Sequence, residues 1–156
     1  MILNDRYFMA QAIAEARQAL RHEDVPIGAV AVDRRTGQIV GRGHNQRELL
    51  QDPTAHAEMV AITAAAAHYR SWRLEEVVLY VTLEPCPMCA GAIVLARIPR
   101  LVYGAVDPRA GAHCSLFEFF SLPGLNHRVE VAAGIMAEEC SALLADFFSE
   151  LRKKNR

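Results

Sequence analysis

The chain has 156 residues, of which 52% are apolar, and its 17 basic side chains against 18 acidic ones give a net charge of −1 with histidine neutral. This composition is typical of an ordinary globular protein, and the near-zero charge argues against binding a nucleic acid by bulk attraction alone. No apolar stretch approaches the ~18 residues needed to span a membrane, and the N-terminal segment lacks the pattern of a secretory signal. The four cysteines include a metal-type pair rather than a disulfide framework, which fits a reducing compartment. We therefore expect one cytoplasmic domain over residues 1–156, with a basic tail at about 150–156.

The hydrophobic pattern predicts four helices and five strands. An apolar stripe near the N-terminus predicts an amphipathic helix, and short β-branched runs predict buried strands. In chain order the predicted elements are a helix at 5–21, strands at 26–32 and 38–44 joined by a turn at 34–37, a polar loop at 46–53, a helix at 54–68, a strand at 77–83, a helix at 87–97, a strand at 100–105, a short strand near 128–132 and a helix at 138–153. The alternation of strand and helix in the middle predicts parallel pairing through right-handed crossovers. The predicted fold class is therefore α/β, a three-layer α/β/α arrangement with a mixed sheet.

Two short segments carry residues that could bind a metal. His56 precedes Glu58 by two positions, and Cys86 and Cys89 form a C-x-x-C pair directly after Pro85. Zinc in a catalytic site takes three protein ligands and keeps a fourth position for water. His56, Cys86 and Cys89 supply three such ligands, which leaves Glu58 free to move protons.

Both segments are expected where a strand gives way to a helix, which is where open α/β sheets bind their ligands. Asp52 and Thr54 are candidate N-caps and Pro53 suits a first helical position, so we expect the first of these helices to begin near residues 53–55. Two helix N-termini would then point at the metal, and their partial positive charge would help to keep the thiols ionised.

Two other interpretations of the cysteine pair are open at this point. A C-x-x-C pair in a cytosolic α/β protein can be a thioredoxin-like redox pair, although the proline before Cys86 and the distant His-x-Glu segment disfavour it. A structural zinc site would need a fourth protein ligand, for which His113 and Cys114 are candidates. In such a closed site Glu58 would have no purpose beside the metal.

The combination H-x-E…P-C-x-x-C is typical of zinc-dependent base deaminases. Further stretches resemble the bacterial tRNA-specific adenosine deaminases of the cytidine deaminase-like superfamily, and the resemblance runs from the first helix to about Phe148. These stretches are residues 25–30, 52–58, 79–86, 126–130 and 146–148. The resemblance implies a five-stranded sheet with helices on both faces, and a homodimer whose contacts help to build the site.

The resemblance also implies a reaction, which is the zinc-dependent hydrolytic deamination of adenosine to inosine at the wobble position of a tRNA anticodon loop. One zinc ion per subunit would be held by His56, Cys86 and Cys89. A zinc hydroxide would attack adenine while Glu58 shuttles protons.

The substrate contacts follow from the resemblance in the same way. Asn45 would bind the purine edge and Asn126 would contact the flipped nucleotide, and the loop that carries Asp107 and Arg109 would lie beside the RNA. The full implied set is Ile27, Asn45, Ala57, Leu83, Asp107, Arg109 and Asn126. The same loop departs from the family pattern at Val106, at Pro108 and at residues 113–114.

Two alternative functions are weighed against this one. A deaminase of a free base or nucleoside, of the guanine or cytosine type, shares a similar cysteine segment, although cytidine deaminases proper normally place a cysteine where this chain has His56. A zinc-stabilised RNA-binding or partner subunit without catalysis would be expected to lack the carboxylate that Glu58 supplies.

Overall fold

The structure, a computed structural model, describes residues 2–155. Its helices and strands alternate along most of the chain, as the hydrophobic pattern predicts. The helices are α1 (Asp5–Gln18), α2 (Arg47–Leu50), α3 (Ala57–Tyr69), α4 (Pro87–Leu95) and α5 (Ala137–Lys154), and the strands are β1 (Gly28–Asp33), β2 (Ile39–His44), β3 (Val77–Leu83), β4 (Arg100–Ala105) and β5 (Glu130–Ala133). Within residues 2–155, no helix is both long enough and apolar enough to cross a lipid bilayer.

The five strands form one mixed sheet in the order β2-β1-β3-β4-β5. β1 is antiparallel to both β2 and β3, whereas β3, β4 and β5 run parallel. Parallel neighbours need a crossover connection, and α4 supplies the one between β3 and β4. The carboxyl ends of β3 and β4 therefore lie side by side at one edge of the sheet.

Helices cover both faces of this sheet, which confirms the three-layer α/β/α prediction. One core contains buried residues of α3 and α4 together with Leu79 and Leu101 from the central strands. The other core contains buried residues of α1, with Cys140 of α5 and the alternate strand residues Tyr80 and Val102. Successive side chains of a strand point to opposite faces, so the central strands are buried on both sides.

Close approach of helix to sheet depends on small residues at three points. A Cβ atom added to Gly28 would lie 2.1 Å from the carbonyl oxygen of Ala12 in α1, and one added to Gly41 would lie 2.4 Å from that of Ala61 in α3. Gly43 meets α3 in the same way, one turn nearer to its N-terminus. The position of the first turn of α3 is therefore set by direct backbone contact with β2.

Asp33 fastens the end of the β1–β2 hairpin to α3. Its carboxylate accepts hydrogen bonds from the Tyr69 hydroxyl at 2.7 Å and from the backbone N–H of Arg35 at 2.8 Å. Burial alone would raise the pKa of Asp33, but the hydrogen bonds from Arg35 and Tyr69 outweigh it and lower the pKa from 3.8 to about 2. The ionised carboxylate is thus favoured in the folded protein.

The predicted start of α3 near residues 53–55 is wrong. The helix begins at Ala57, with His56 as its N-cap. The Asp52 carboxylate instead accepts hydrogen bonds from the backbone N–H and the hydroxyl of Thr54, both at 2.8 Å, and so closes a separate turn. The consequence is that the histidine of the motif lies at the helix end itself.

The polar loop predicted at 46–53 contains a short helix, α2. The backbone N–H groups of Glu48 and Leu49 in this helix donate to the buried carboxylate of Asp24 at 2.7 and 3.1 Å. Asp24 lies more than twenty residues away in sequence, so no local pattern marks this helix. At the other end of the chain α5 extends to Lys154, so most of the predicted basic tail is helical, while Arg156 lies outside the described residues.

Candidate metal centre and active site

The three predicted metal ligands meet at the N-terminal ends of two helices. His56 is the N-cap of α3 and Cys86 is the N-cap of α4, with Pro87 at the first helical position. Cys89 follows in the first turn of α4 and is fully buried. The Nδ1 atom of His56 lies 3.5 Å from the Sγ atoms of both Cys86 and Cys89.

These separations fit a tetrahedral zinc ion. Zn–N and Zn–S distances of about 2.05 and 2.3 Å at a tetrahedral angle place a nitrogen and a sulfur ligand about 3.5–3.6 Å apart. All three ligand atoms lie within 4.8 Å of one another, and this is the only group of three or more metal-binding side chains found within residues 2–155. The geometry therefore provides three corners of a tetrahedron.

Hydrogen bonds at the start of α4 favour the ionised form of Cys86. Hydrogen bonding from the Cys89 thiol, followed by that from His56, lowers the pKa of Cys86 to about 4. The hydrogen bond with Cys86, together with burial, raises the pKa of Cys89. Its hydrogen bond with Cys86 raises the pKa of His56. A divalent cation would replace these protons on the metal ligands.

Glu58 lies beside the ligands without being one of them. It is only 4% exposed and occupies the first turn of α3, two residues after His56. Burial raises the pKa of its carboxyl group to about 7. A carboxyl group in this environment can both accept and release a proton near neutral pH.

A cavity of about 490 Å³ opens directly in front of this group. It is large enough for a nucleobase with part of its sugar, because small-molecule sites typically measure about 300–1,000 Å³. The predicted site residues that line it are Ile27, Asn45, His56, Ala57, Glu58, Leu83, Cys86, Asp107 and Arg109. Cys89 lies buried beneath them.

Asn45 is fixed in the wall of the cavity by its own hydrogen bonds. Its side-chain N–H donates to the carbonyl of Val25 at 3.1 Å, and its side-chain oxygen accepts from the backbone N–H of Arg47 at 3.3 Å. The residue is 3% exposed. The remaining N–H and oxygen lone pair of the amide are the groups that a bound base could use.

Asn126 is the one predicted contact that does not line the cavity. It is exposed and lies in the loop before β5. The neighbouring His127 ring is hydrogen-bonded at 2.7 Å to the carbonyl of Ile98, which precedes β4. Asn126 therefore lies at the amino edge of the parallel strands, whereas the metal ligands lie beyond their carboxyl edge.

The candidates for a fourth protein ligand are turned away from the metal group. The Nδ1 atom of His113 is hydrogen-bonded at 2.7 Å to the hydroxyl of Tyr103, and the Cys114 sulfur lies 3.6 Å from the same hydroxyl. Neither belongs to the group formed by the three ligands. The fourth tetrahedral position consequently faces the cavity.

Several cavity residues were not predicted from the sequence. Arg47 of α2 and Arg152 of α5 join Arg109 at the rim, and Glu84 lies in the wall between β3 and Cys86. Glu84 could have been noticed as a carboxylate at the end of an apolar strand. Arg152 belongs to the basic tail that the sequence shows, but nothing local places it or Arg47 at the cavity, because only the folded chain brings α2 and α5 together. The apolar part of the wall that was also missed consists of Val25, Val106, Leu144 and Phe148.

The site has counterparts among known proteins. Residues 3–105 match the family described as the cytidine and deoxycytidylate deaminase zinc-binding region. The tRNA-specific adenosine deaminase of Bacillus subtilis (strain 168) is 48% identical over 152 residues, which cover 97% of this chain and 93% of that protein. The chain belongs to the tRNA-specific adenosine deaminase family. A second member, from Haemophilus influenzae, is 45% identical over 97% of this chain and 87% of its own length.

Solved structures agree with membership of this deaminase family. One comes from studies of A-to-I editing by tRNA:A34 deaminases at the wobble position of transfer RNA, and it matches with a TM-score of 0.84 and 46% identity over 88% of this chain and 99% of that chain. A guanine deaminase from Nitrosomonas europaea has the same fold, with a TM-score of 0.82, but is only 21% identical. These matches confirm the resemblance stated from the sequence. They also rule out the alternative interpretation of Cys86 and Cys89 as a thioredoxin-like redox pair.

Proposed function

We propose that the protein hydrolyses adenosine to inosine at the wobble position of a tRNA anticodon loop. The observation that carries the proposal is the three-cornered His56, Cys86 and Cys89 group at the floor of a cavity, with the Glu58 carboxylate beside its open corner. Near-full-length identity of 45–48% to tRNA-specific adenosine deaminases supports the choice of substrate.

The proposed cofactor is one zinc ion per chain, held by His56, Cys86 and Cys89. Two thiolates and a neutral imidazole suit zinc in both softness and charge, and the 3.5 Å separations suit its size. When bound, zinc with three protein ligands activates water as a nucleophile near neutral pH.

Glu58 is the proposed proton carrier. Its carboxylate accepts a proton from the attacking water and delivers it to the ring nitrogen next to the amino-bearing carbon of adenine. Glu58 then accepts the second proton of the former water, from the hydroxyl group now on that carbon, and passes it to the exocyclic amine. The carbon–nitrogen bond breaks, ammonia leaves and the water oxygen becomes the carbonyl of inosine. General acid–base transfer of this kind typically contributes ~10²–10⁴-fold to the rate.

The rim of the cavity favours a nucleotide within a polynucleotide over a free base. Arg47, Arg109 and Arg152 come from three separate segments, and all three are exposed at the mouth. A free guanine or cytosine has no phosphate for them to bind, whereas an RNA strand does. The target base must leave its stack to reach the buried group, which an anticodon loop permits at low cost. In the wall, Asn45 would then bind the purine edge, with Ile27, Ala57 and Leu83 enclosing the base.

We further infer that the chain acts as a single cytoplasmic domain that forms a homodimer. Exposed apolar side chains at Leu116, Phe117 and Leu122 support an interface with a second copy. Within such a dimer, Asn126 of the partner subunit is the proposed contact to a flipped nucleotide. Sedimentation velocity at several protein concentrations tests this assembly, and a monomer at all of them would contradict it.

The decisive experiment is incubation of the zinc-analysed protein with total tRNA. Inosine is then mapped by reverse transcription, where it is read as guanosine, and we expect it at wobble positions only. Parallel incubations with guanine, cytidine and free adenosine measure ammonia release from the rival substrates. Ammonia release from a free base or nucleoside, without inosine in tRNA, would favour the alternative deaminase function. If neither inosine nor ammonia formed from any of these substrates, the protein would be a non-catalytic subunit.

A further inference from the structure

Glu84 is a buried carboxylate that neither belongs to the metal-binding group nor transfers protons in the proposed reaction. It follows β3 directly, precedes Pro85 and Cys86, and is 2% exposed. Its Oε1 atom accepts a hydrogen bond from the backbone N–H of Asp107 at 3.0 Å. Its Oε2 atom accepts from the backbone N–H groups of three consecutive residues, at 2.9, 3.1 and 3.2 Å, namely His113, Cys114 and Ser115. The Ser115 hydroxyl donates to Oε1 as well.

These donors all belong to the rim loop, which we define as residues 106–115. The loop is wrapped tightly around the carboxylate, because a Cβ atom added to Gly111 would lie 2.3 Å from the Glu84 carboxyl carbon. Further backbone bonds fasten its two ends, from the N–H of Glu84 to the carbonyl of Ala105 at 2.8 Å and from that of Ala112 to Pro85 at 2.9 Å. The Glu84 carboxylate and these two backbone bonds together hold the loop in place.

The front of the same loop forms one side of the cavity mouth. Asp107, Pro108 and Arg109 are all lining residues. The Asp107 side chain in turn accepts hydrogen bonds from the backbone N–H groups of Arg109 at 3.0 Å and of Ala110 at 3.3 Å. The backbone bond from Asp107 to Glu84 is therefore the link between the buried carboxylate and the residues that face the substrate.

Only a carboxylate can satisfy this set of donors. Five hydrogen bonds arrive at two oxygens, and none of their donors accepts one in return. A glutamine side chain keeps the shape but turns one oxygen into an N–H₂ group, which would face donors and leave them unpaired. This substitution would destabilise the position of the rim loop, because four of the five donors are backbone N–H groups of that loop.

We propose that Glu84 is a positioning residue that holds the rim loop, and with it Asp107 and Arg109, at the place where the RNA strand enters the cavity. This inference rests on the proposed function for its substrate. It assigns Glu84 no part in the chemistry, so its loss acts on substrate binding through the loop.

Steady-state kinetics of Glu84→Gln on an anticodon stem-loop RNA test the proposal. We expect KM to rise by about tenfold, the size of one lost charge-assisted contact to RNA, while kcat stays within about twofold and zinc content is unchanged. Glu118→Gln is the matched control, since it makes the same chemical change on an exposed side chain just beyond the rim loop. A residue that mattered only for stability would lower kcat and zinc content in proportion.

A double variant separates positioning from an independent effect. Arg109→Ala alone should raise KM, and combining it with Glu84→Gln should add little, because both act through one loop. The inference is overturned if Glu84→Gln behaves like the Glu118 control, if Arg109→Ala leaves KM unchanged, or if the two effects multiply. Should Glu84→Gln fail to fold or lose zinc, Ser115→Ala removes one donor only, and an unchanged KM in that variant would equally overturn it.

Amide hydrogen exchange gives a result that does not depend on activity. The N–H groups of residues 107 and 113–115 should exchange slowly in the unaltered protein and in Glu118→Gln, and faster in Glu84→Gln. Absence of inosine in the stem-loop treated with the unaltered protein would refute the proposed function itself. The exchange rates would then still decide whether Glu84 holds the loop, with equal rates in all three proteins as the contradicting outcome.

Discussion

Replacing Gly43 by alanine should damage the metal centre without touching any of its ligands. The added Cβ atom would lie 2.4 Å from the carbonyl oxygen of Ala57 and 2.8 Å from the Cβ atom of Val60, both in the first turn of α3. Ordinary contact begins at 3.4 Å, so this turn would have to retreat by about 1 Å. His56 and Glu58 belong to the turn that moves, whereas Cys86 lies on α4 and does not.

The expected losses follow from that displacement. Overpacking of this kind costs about 1–3 kcal/mol, which lowers Tm by roughly 2–12 °C in a domain of this size. A zinc site tolerates distance errors of only about 0.2 Å, so zinc should dissociate more readily. A misplacement of about 1 Å between Glu58 and the substrate can reduce kcat by about 10²-fold.

Thermal denaturation with and without zinc, competition for zinc with a chelator, and kcat on a stem-loop RNA measure these three effects. Gly91→Ala is the control, because the same added methyl group in α4 meets no atom within 4 Å. In that variant better helix propensity should stabilise the protein by about 0.5–1 kcal/mol. The reasoning fails if Gly43→Ala retains both Tm and zinc affinity, or if Gly91→Ala is as damaging.

Three further predictions concern the chemistry, the RNA and the pH dependence of folding. Glu58→Gln should lower deamination by at least ~10²-fold while metal analysis still finds zinc, and loss of the metal would contradict its role as a proton carrier. Arg47→Ala, Arg109→Ala and Arg152→Ala should each raise the Kd for tRNA and reduce the slope of log Kd against log salt by about one, as titrations at several salt concentrations would reveal. Asp33 has its pKa lowered from 3.8 to about 2, so its ionised form contributes stability above pH 3.8 that is lost as the pH falls towards 2. Asp33→Asn should therefore cost about 2 kcal/mol in urea denaturation at about pH 7 and clearly less at about pH 3, and an equal cost at both pH values would count against this assignment.

The elements that the sequence predicted well are those with long periodic patterns. The strand predicted at 77–83 is β3 without change, and the helix predicted at 138–153 is α5 within one residue at each end. Apolar residues repeat there over the whole element, and burial of that pattern agrees with its local preference. The start of α3 was wrong because Asp52 can cap a turn as readily as a helix, and nothing nearby in the sequence decides between the two.

The candidate site divides in the same way. The sequence predicted one metal-binding group, formed by His56, Cys86 and Cys89. Imidazole and thiolate are common zinc ligands, and the C-x-x-C spacing is typical of zinc sites. By contrast, Asn126 was assigned to the substrate by resemblance, yet it lies at the opposite edge of the sheet from the cavity. Which edge a loop occupies depends on strand direction, and that is a property of the paired sheet.

The linear order of residues was thus enough to predict the α/β layers, the grouping of His56, Cys86 and Cys89, and the acid beside that group, because these predictions rest on local periodicity and on the nature of each side chain. Only the folded arrangement brought Arg47 and Arg152 to the rim with Arg109, and gave Glu84 its ring of five donors. These contacts join segments that are far apart in sequence. Their positions follow from strand order and crossover direction, which short patterns do not encode.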